Sequence, residues 1–296
     1  MSRKILLVGA SGTLGGHTMS ELVSRGADVR ALVRAKRDLP GQVEQFIGDL
    51  GDRSSVEKAL DGVQAAYYVS PHEADEVKLA ENFIQACEAT GVLIVFAGVQ
   101  IPDPGMAANF GRLHPHYQGK IHIGAAMAAA ANDPIVISVA FANWAQNDEL
   151  FKEDILNGEF AQPLHPKGVN RIDLRDVAEI SASALLDPDF PGGQYVIAGP
   201  ESLSGQQCAD IWAAALARPV RYLGDDEQAW RPAIARRLTG TKQTDWLYTF
   251  EFLSTSEIPT DPGALKVTEQ LLGHPPRNYR TYVRDTAREW LGSAKQ

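Results

Sequence analysis

The segment HPHYQGK, residues 114–120, sets groups that can hold or move a proton within one helical turn of a lysine. His116 stands four residues before Lys120 and Tyr117 three before it, and positions three and four apart are neighbours on a helix surface. A lysine so placed can hold a sugar hydroxyl and, through its charge, draw down the pKa of a neighbouring acid. That spacing offers Lys120 as an anchor beside two candidate acids, His116 and Tyr117. The alternative is that His114, His116 and Tyr117 simply open a helix whose first turn is set by Pro115.

A second constellation binds rather than reacts. VGASGTLGG (8–16) follows an apolar run and opens a helical one, with glycines at 9, 12 and 15. In that context Gly9 permits a tight turn, Gly12 lets backbone approach a pyrophosphate, and Gly15 allows close helix–sheet packing. Gly9, Ser11, Gly12, Thr13, Leu14 and Gly15 are therefore candidate phosphate contacts at a helix N-terminus. About twenty residues on, where an acid would select NAD(H), the chain reads LVRAKR (32–37). Arg34 and Lys36 suit a 2′-phosphate instead, so NADP(H) is preferred and NAD(H) is second choice; the competing reading is a solvated basic loop. Asp49, with Leu50 beside it, either accepts from an adenine amino group or caps a helix. Ser70, after the fourth strand, completes the candidate cofactor rim. Further on, FANWAQN (141–147) offers Phe141, Asn143 and Trp144 as a flat-ring pocket at the end of a strand, or as core packing.

These residues need a scaffold, and its rhythm is legible. Apolar runs at 4–10, 28–34, 44–50, 65–70, 92–98 and 134–140 alternate with helical segments near 12–25, 54–61, 74–90 and 116–131. Such alternation predicts an α/β fold: a Rossmann-type doubly wound parallel sheet with a smaller C-terminal α+β substrate lobe. The expected division is 1–140 with a return to the sheet near 172–198, then 141–171 and 199–296 as the lobe. Asp176 with Glu179, and Ser204 with Gln207, have the spacing of capping boxes and predict two helix starts.

Composition narrows the class. With 296 residues, 44% hydrophobic and 22% charged, the chain can bury a substantial core. A net charge of −9 argues against a broad nucleic-acid surface, which needs clustered Lys and Arg. Cys87 and Cys208 have neither disulfide nor metal spacing, so no metal is expected. The start MSRKILLVGA runs into a strand without room for a signal peptide, and no apolar stretch would span a bilayer, so a cytoplasmic location away from membranes is expected.

With these pieces placed, the sequence resembles the NmrA-like family of atypical short-chain dehydrogenases/reductases, which includes NAD(P)H:quinone oxidoreductases and NADP-binding redox regulators. The resemblance covers nearly the whole chain. It is carried by KILLVGASGTLGG (4–16), DVRALVR (28–34), GDLGDRSSVEKALDGV (48–63), RIDLRDVAEI (171–180), YVIAGPESLSGQQCADI (195–211), ARPVRYL (217–223) and LLGHPPRNYRTYVRDTAREW (271–290). It implies a cofactor cleft beside a C-terminal lobe that varies among members. Members often carry His where ordinary short-chain dehydrogenases carry Tyr, four residues before the lysine, and here that residue is His116. The family's wider pattern also implies a serine after the fifth strand. This chain has Ala97 and Gly98 in VFAGVQ (95–100) instead. Because an oxyanion donor is worth roughly 3–4 kcal/mol, its loss weakens carbonyl reduction more than hydride transfer to a quinone, which is already electrophilic. Three functions follow: an NADPH-dependent reductase of a quinone or similar small molecule, an NADP(H) sensor acting through a protein partner, or a carbonyl or double-bond reductase, which needs Tyr117 to act despite its spacing.

Overall fold

A computed structural model describes residues 3–71, 73–100, 115–140 and 142–293. The chain divides into two compact units: Met1–Ala140 with Leu174–Ile197, and Phe141–Asp173 with Ala198–Gln296.

The first unit is built on β1 (Lys4–Val8), β2 (Asp28–Val33), β3 (Glu44–Ile47), β4 (Ala65–Val69), β5 (Leu93–Gln100), β6 (Ile135–Ala140) and β7 (Gly193–Ile197). They form one parallel sheet in the order β7-β6-β5-β4-β1-β2-β3, a Rossmann-like arrangement. Its crossover helices are α1 (Thr13–Ser24), α2 (Arg53–Ala59), α3 (Glu76–Thr90), α4 (Pro115–Ala128) and α5 (Leu174–Leu186). Both sheet faces are covered, which explains why β1, β4 and β6 read as near-continuous apolar runs, with Ser138 in β6 and Lys4 at the start of β1 as the polar residues. Leu6, Val8, Tyr68, Ile94 and Phe96 pack with Val56, Phe83, Ile84, Ile123 and Met127 of α2, α3 and α4. On the other face α1 packs against α5, and Arg25 Nη1 donates to Ser183 Oγ at 2.9 Å.

Two local expectations are corrected. α5 starts at Leu174, so Asp176 lies buried inside its first turn rather than at the N-cap; the Asp–Glu spacing recurs freely within helices and does not by itself mark a start. Asp52, not Asp49, caps α2, through a 2.9 Å bond from Ser54 N. The second capping box is present as read, with Ser204 N donating to Gln207 Oε1 at 2.8 Å.

In the second unit Val169–Ile172 is the middle of three strands, antiparallel to Glu201–Leu203 and parallel to Asn143–Trp144. Its core is aromatic: Phe151, Phe160, Trp212, Phe250, Tyr279 and Trp290. Trp212 stacks on Trp290 with centroids 4.9 Å apart, and Trp246 meets Phe250 at 5.2 Å, as a packed face at helical spacing would.

Candidate functional site

The glycine loop lies at the carboxyl end of β1, where open α/β sheets bind ligands. Gly9 has φ +84°, and a Cβ there would stand 2.6 Å from Val69 Cγ1 at the end of β4. A Cβ on Gly15 would collide with the Gly9 carbonyl. The loop is thus folded tightly onto itself, with Gly12 N donating to Gly9 O at 2.9 Å. Gly12 is the N-cap of α1 and brings no side chain to the helix's first amides. Ser11, Gly12 and Thr13 are exposed, whereas Leu14 and Gly15 are buried as the helix turns into the core.

The neighbouring strand ends complete the rim. After β2, Arg34 is paired with Glu73 at 2.8 Å, its side chain 68% exposed, and Lys36 is exposed beyond it. After β3, Asp49 Oδ1 accepts from Gly51 N at 2.8 Å and Asp49 N donates to Ser55 Oγ at 3.0 Å. Asn82 of α3 clamps this turn by donating to Leu50 O at 2.9 Å and Gly51 O at 3.0 Å. Leu50 is half-buried, Asp49 exposed.

After β4 comes Ser70, whose Oγ donates to Glu76 Oε2 at 3.1 Å. Lys120 reaches the same place from α4. Its Nζ pairs with Glu76 Oε2 and points at Pro71 O and Ser70 O, at 3.2 and 3.4 Å. The lysine therefore stands one residue beyond the β4 atoms that the Gly9 turn touches. Helical backbone begins at Pro115, so the His116 and Lys120 positions share a stripe, and Tyr117 is half-buried beside them. His114 and the His116 side chain lie outside the described residues.

Glu76 and Tyr68 were missed by sequence reasoning. Glu76 is buried at the first turn of α3, a position where an acid normally favours the helix dipole and signals nothing more. The Tyr68 hydroxyl is buried nearby, and its pKa is raised first by burial and then by the Glu76 charge. On β5, Ala97 is buried between Val69 and Ile137, while a Cβ on Gly98 would run into the Phe96 ring. With Phe96 packed in the core, position 98 has no room for a serine.

In the second unit, Asn143 is buried, donating to Gln162 Oε1 at 3.0 Å and accepting from Asn147 Nδ2 at 2.6 Å. Both ends of its amide are engaged inside that unit. Trp144 is half-buried, and Phe141 lies outside the described residues. Among the described residues no helix is long and apolar enough to cross a membrane.

Comparison with known proteins agrees with this architecture. An NAD(P)H azoreductase of Xenophilus azovorans is 28% identical over 95% of this chain and 96% of its own. The NADPH-dependent quinone oxidoreductase of Escherichia coli, solved with NADPH, superposes with a TM-score of 0.74 at 18% identity, covering 95% of this chain and 99% of that one. NmrA, a negative transcriptional regulator solved with NADP, gives 0.76 at 14% identity, over 100% and 98%. The description of the NmrA-like family matches residues 1–244, and the chain belongs to that family.

Proposed function

We propose that the protein is an NADPH-dependent reductase of a small electrophile, of the quinone class. The observation that carries this reading is the shared rim: the phosphate loop abuts Val69, and the carbonyl of the next residue, Ser70, faces Lys120 Nζ at 3.4 Å. The cradle suits a dinucleotide because only backbone fits at Gly9 and Gly15, and the amides of Gly12 and Thr13 open α1 toward a pyrophosphate. Arg34 and Lys36 would take the 2′-phosphate, and Asp49 and Leu50 would border the adenine. Ser70 and Lys120 would hold the nicotinamide ribose. The bound cofactor supplies a hydride.

The chain's own part is to orient and to protonate. Lys120 fixes the sugar and supplies positive charge near the reacting oxygen, and Tyr117 or His116 delivers the proton from Oη or the imidazole. The packed Gly98 position leaves no polarising serine, which favours an acceptor that is electrophilic without help. Trp144 is a candidate contact for a flat ring. The relatives' names support the class: one is an azoreductase, another a quinone oxidoreductase.

Anaerobic mixing with NADPH and a panel of quinones tests the reading. Loss of nicotinamide absorbance above the protein-free control is expected with at least one quinone, and none with any of them overturns it. The closed Gly98 position also favours a second reading, an NADP(H) sensor working through a protein partner. Tight NADPH binding without oxidation of any acceptor would select it.

A further inference from the structure

A carboxylate buried at the carboxyl end of a parallel sheet is costly unless it is paired and hydrogen-bonded. The Glu76 side chain is 5% exposed and, among its partners, meets Lys120 Nζ and Ser70 Oγ. Lys120 is 18% exposed, and among the acceptors facing its ammonium are Glu76 Oε2, Pro71 O and Ser70 O. These contacts are unequal: one close ion pair and two carbonyl contacts at 3.2 and 3.4 Å. Gly119 makes the close one feasible, because a Cβ at that position would sit 2.5 Å from Glu76 Oε1.

We propose that Glu76 is the positioning residue of Lys120, holding it charged and oriented at the rim of the phosphate loop, with Gly119 the space through which it acts. This rests on the NADPH reading above. The two longer carbonyl contacts are the ones a ribose hydroxyl displaces, while the ion pair stays. A lysine stem is flexible, and a partly buried ammonium without a counter-charge gives up its proton more readily. Glu76 corrects both tendencies. Among the described residues, the other ionisable groups on the elements carrying the pair include Tyr117 on α4, Glu73 and Asp75 ahead of α3, and Tyr68 on β4. Glu73 is already bound to Arg34, and the strands β5 and β6 behind α4 carry no ionisable residue.

The test uses the full chain with 13Cε-labelled lysines, Lys120 being assigned by its loss in Lys120→Arg. In the cofactor-free protein, Glu76→Gln is expected to lower the Lys120 titration midpoint by at least one pH unit. NADPH binding, followed by protein fluorescence, should then begin to weaken at a pH at least one unit lower in the variant than in the unaltered protein. Gly119→Ala keeps both charges but pushes the carboxylate away, so it should reproduce both effects; it also serves if Glu76→Gln folds poorly. Glu76→Asp should restore most of the titration. An unchanged Lys120 midpoint in Glu76→Gln and in Gly119→Ala overturns the proposal, whatever happens to binding. Should the unaltered protein fail to bind NADPH, the cofactor reading falls, and the lysine titration still decides the pair.

Discussion

Each unit holds a buried ion pair, and the two are built to different ends. In the second unit Arg171 and Asp148 are both 0% exposed and 2.7 Å apart. Asp148 also accepts from Trp212 Nε1 at 2.9 Å and from the Tyr279 hydroxyl. Arg171 donates to Gln162 Oε1 at 2.7 Å and lies 4.5 Å over the Tyr279 ring. Burial alone would lower the Arg171 pKa, but the Asp148 charge raises it above the ordinary value. This network draws on five separate stretches of chain, with Arg171 Nε and Gln162 Nε2 buried and without a hydrogen-bond partner. The Lys120–Glu76 pair instead stands at a rim, partly exposed, with two of its contacts stretched. The first pair is sealed in a core, whereas the second is partly open, as the role proposed for Lys120 in cofactor binding requires.

The strongest way to break this comparison is to remove one partner from each. Asp148→Asn leaves the fully buried Arg171 without its counter-charge, and should cost about 3–5 kcal/mol. It is read as a large drop in the urea midpoint of the described fold. Glu76→Gln should cost only about 1 kcal/mol, because Lys120 can turn toward water. Equal losses in the two variants would erase the distinction.

What could be read beforehand follows the range of the interactions. The strands, the glycine loop and the Ser204–Gln207 cap depend on residues close in sequence, so their patterns are visible there. Glu76 could not be picked out, because its meaning comes from a lysine 44 residues away and from the missing side chain of Gly119. The sequence offered Arg34 as a candidate phosphate ligand but could not show it as a partner of Glu73, 39 residues on. Asn143 illustrates the opposite case. Its place after a strand pointed to a ligand, yet the amide is buried among Gln162 and Asn147, a placement fixed by the fold of the second unit.

Arg34 sharpens the contrast with a pair that is neither buried nor closed. At 68% exposure its bond to Glu73 is worth at most about 1 kcal/mol, so a 2′-phosphate can displace it. Arg34→Ala should leave stability within that margin while weakening NADPH about ten- to a hundredfold, the worth of a hydrogen bond to a charged group, and NADH less than twofold. Glu73→Gln should strengthen NADPH two- to threefold by releasing the guanidinium, an order-of-magnitude expectation for a surface pair. Isothermal titration with both cofactors checks each, and equal loss for NADPH and NADH in Arg34→Ala removes the phosphate assignment.

The smallest effect contrasts a bonded phenol with an unbonded one. Tyr279 is tied to Asp148, whereas the Tyr67 hydroxyl, in the sheet core, has no partner of hydrogen-bond geometry. The nearby Thr18 and Ser181 hydroxyls donate to Leu14 O at 3.0 Å and Val177 O at 2.7 Å. Burial pushes the Tyr67 pKa up to about 12. The folded state thus holds this proton more tightly than the unfolded one, whose phenol titrates near about 10. Stability from this group is complete below that unfolded value and falls as pH rises through 10 toward 12, by up to about 1.4 kcal/mol per pH unit. Tyr67→Phe should change stability at pH 7 by about 1 kcal/mol or less, since no bond is lost, and should make the alkaline decline shallower. Urea unfolding at several pH values from neutral to alkaline measures both, and an unaltered alkaline slope in Tyr67→Phe would show that the phenol is no more tightly protonated in the fold than out of it.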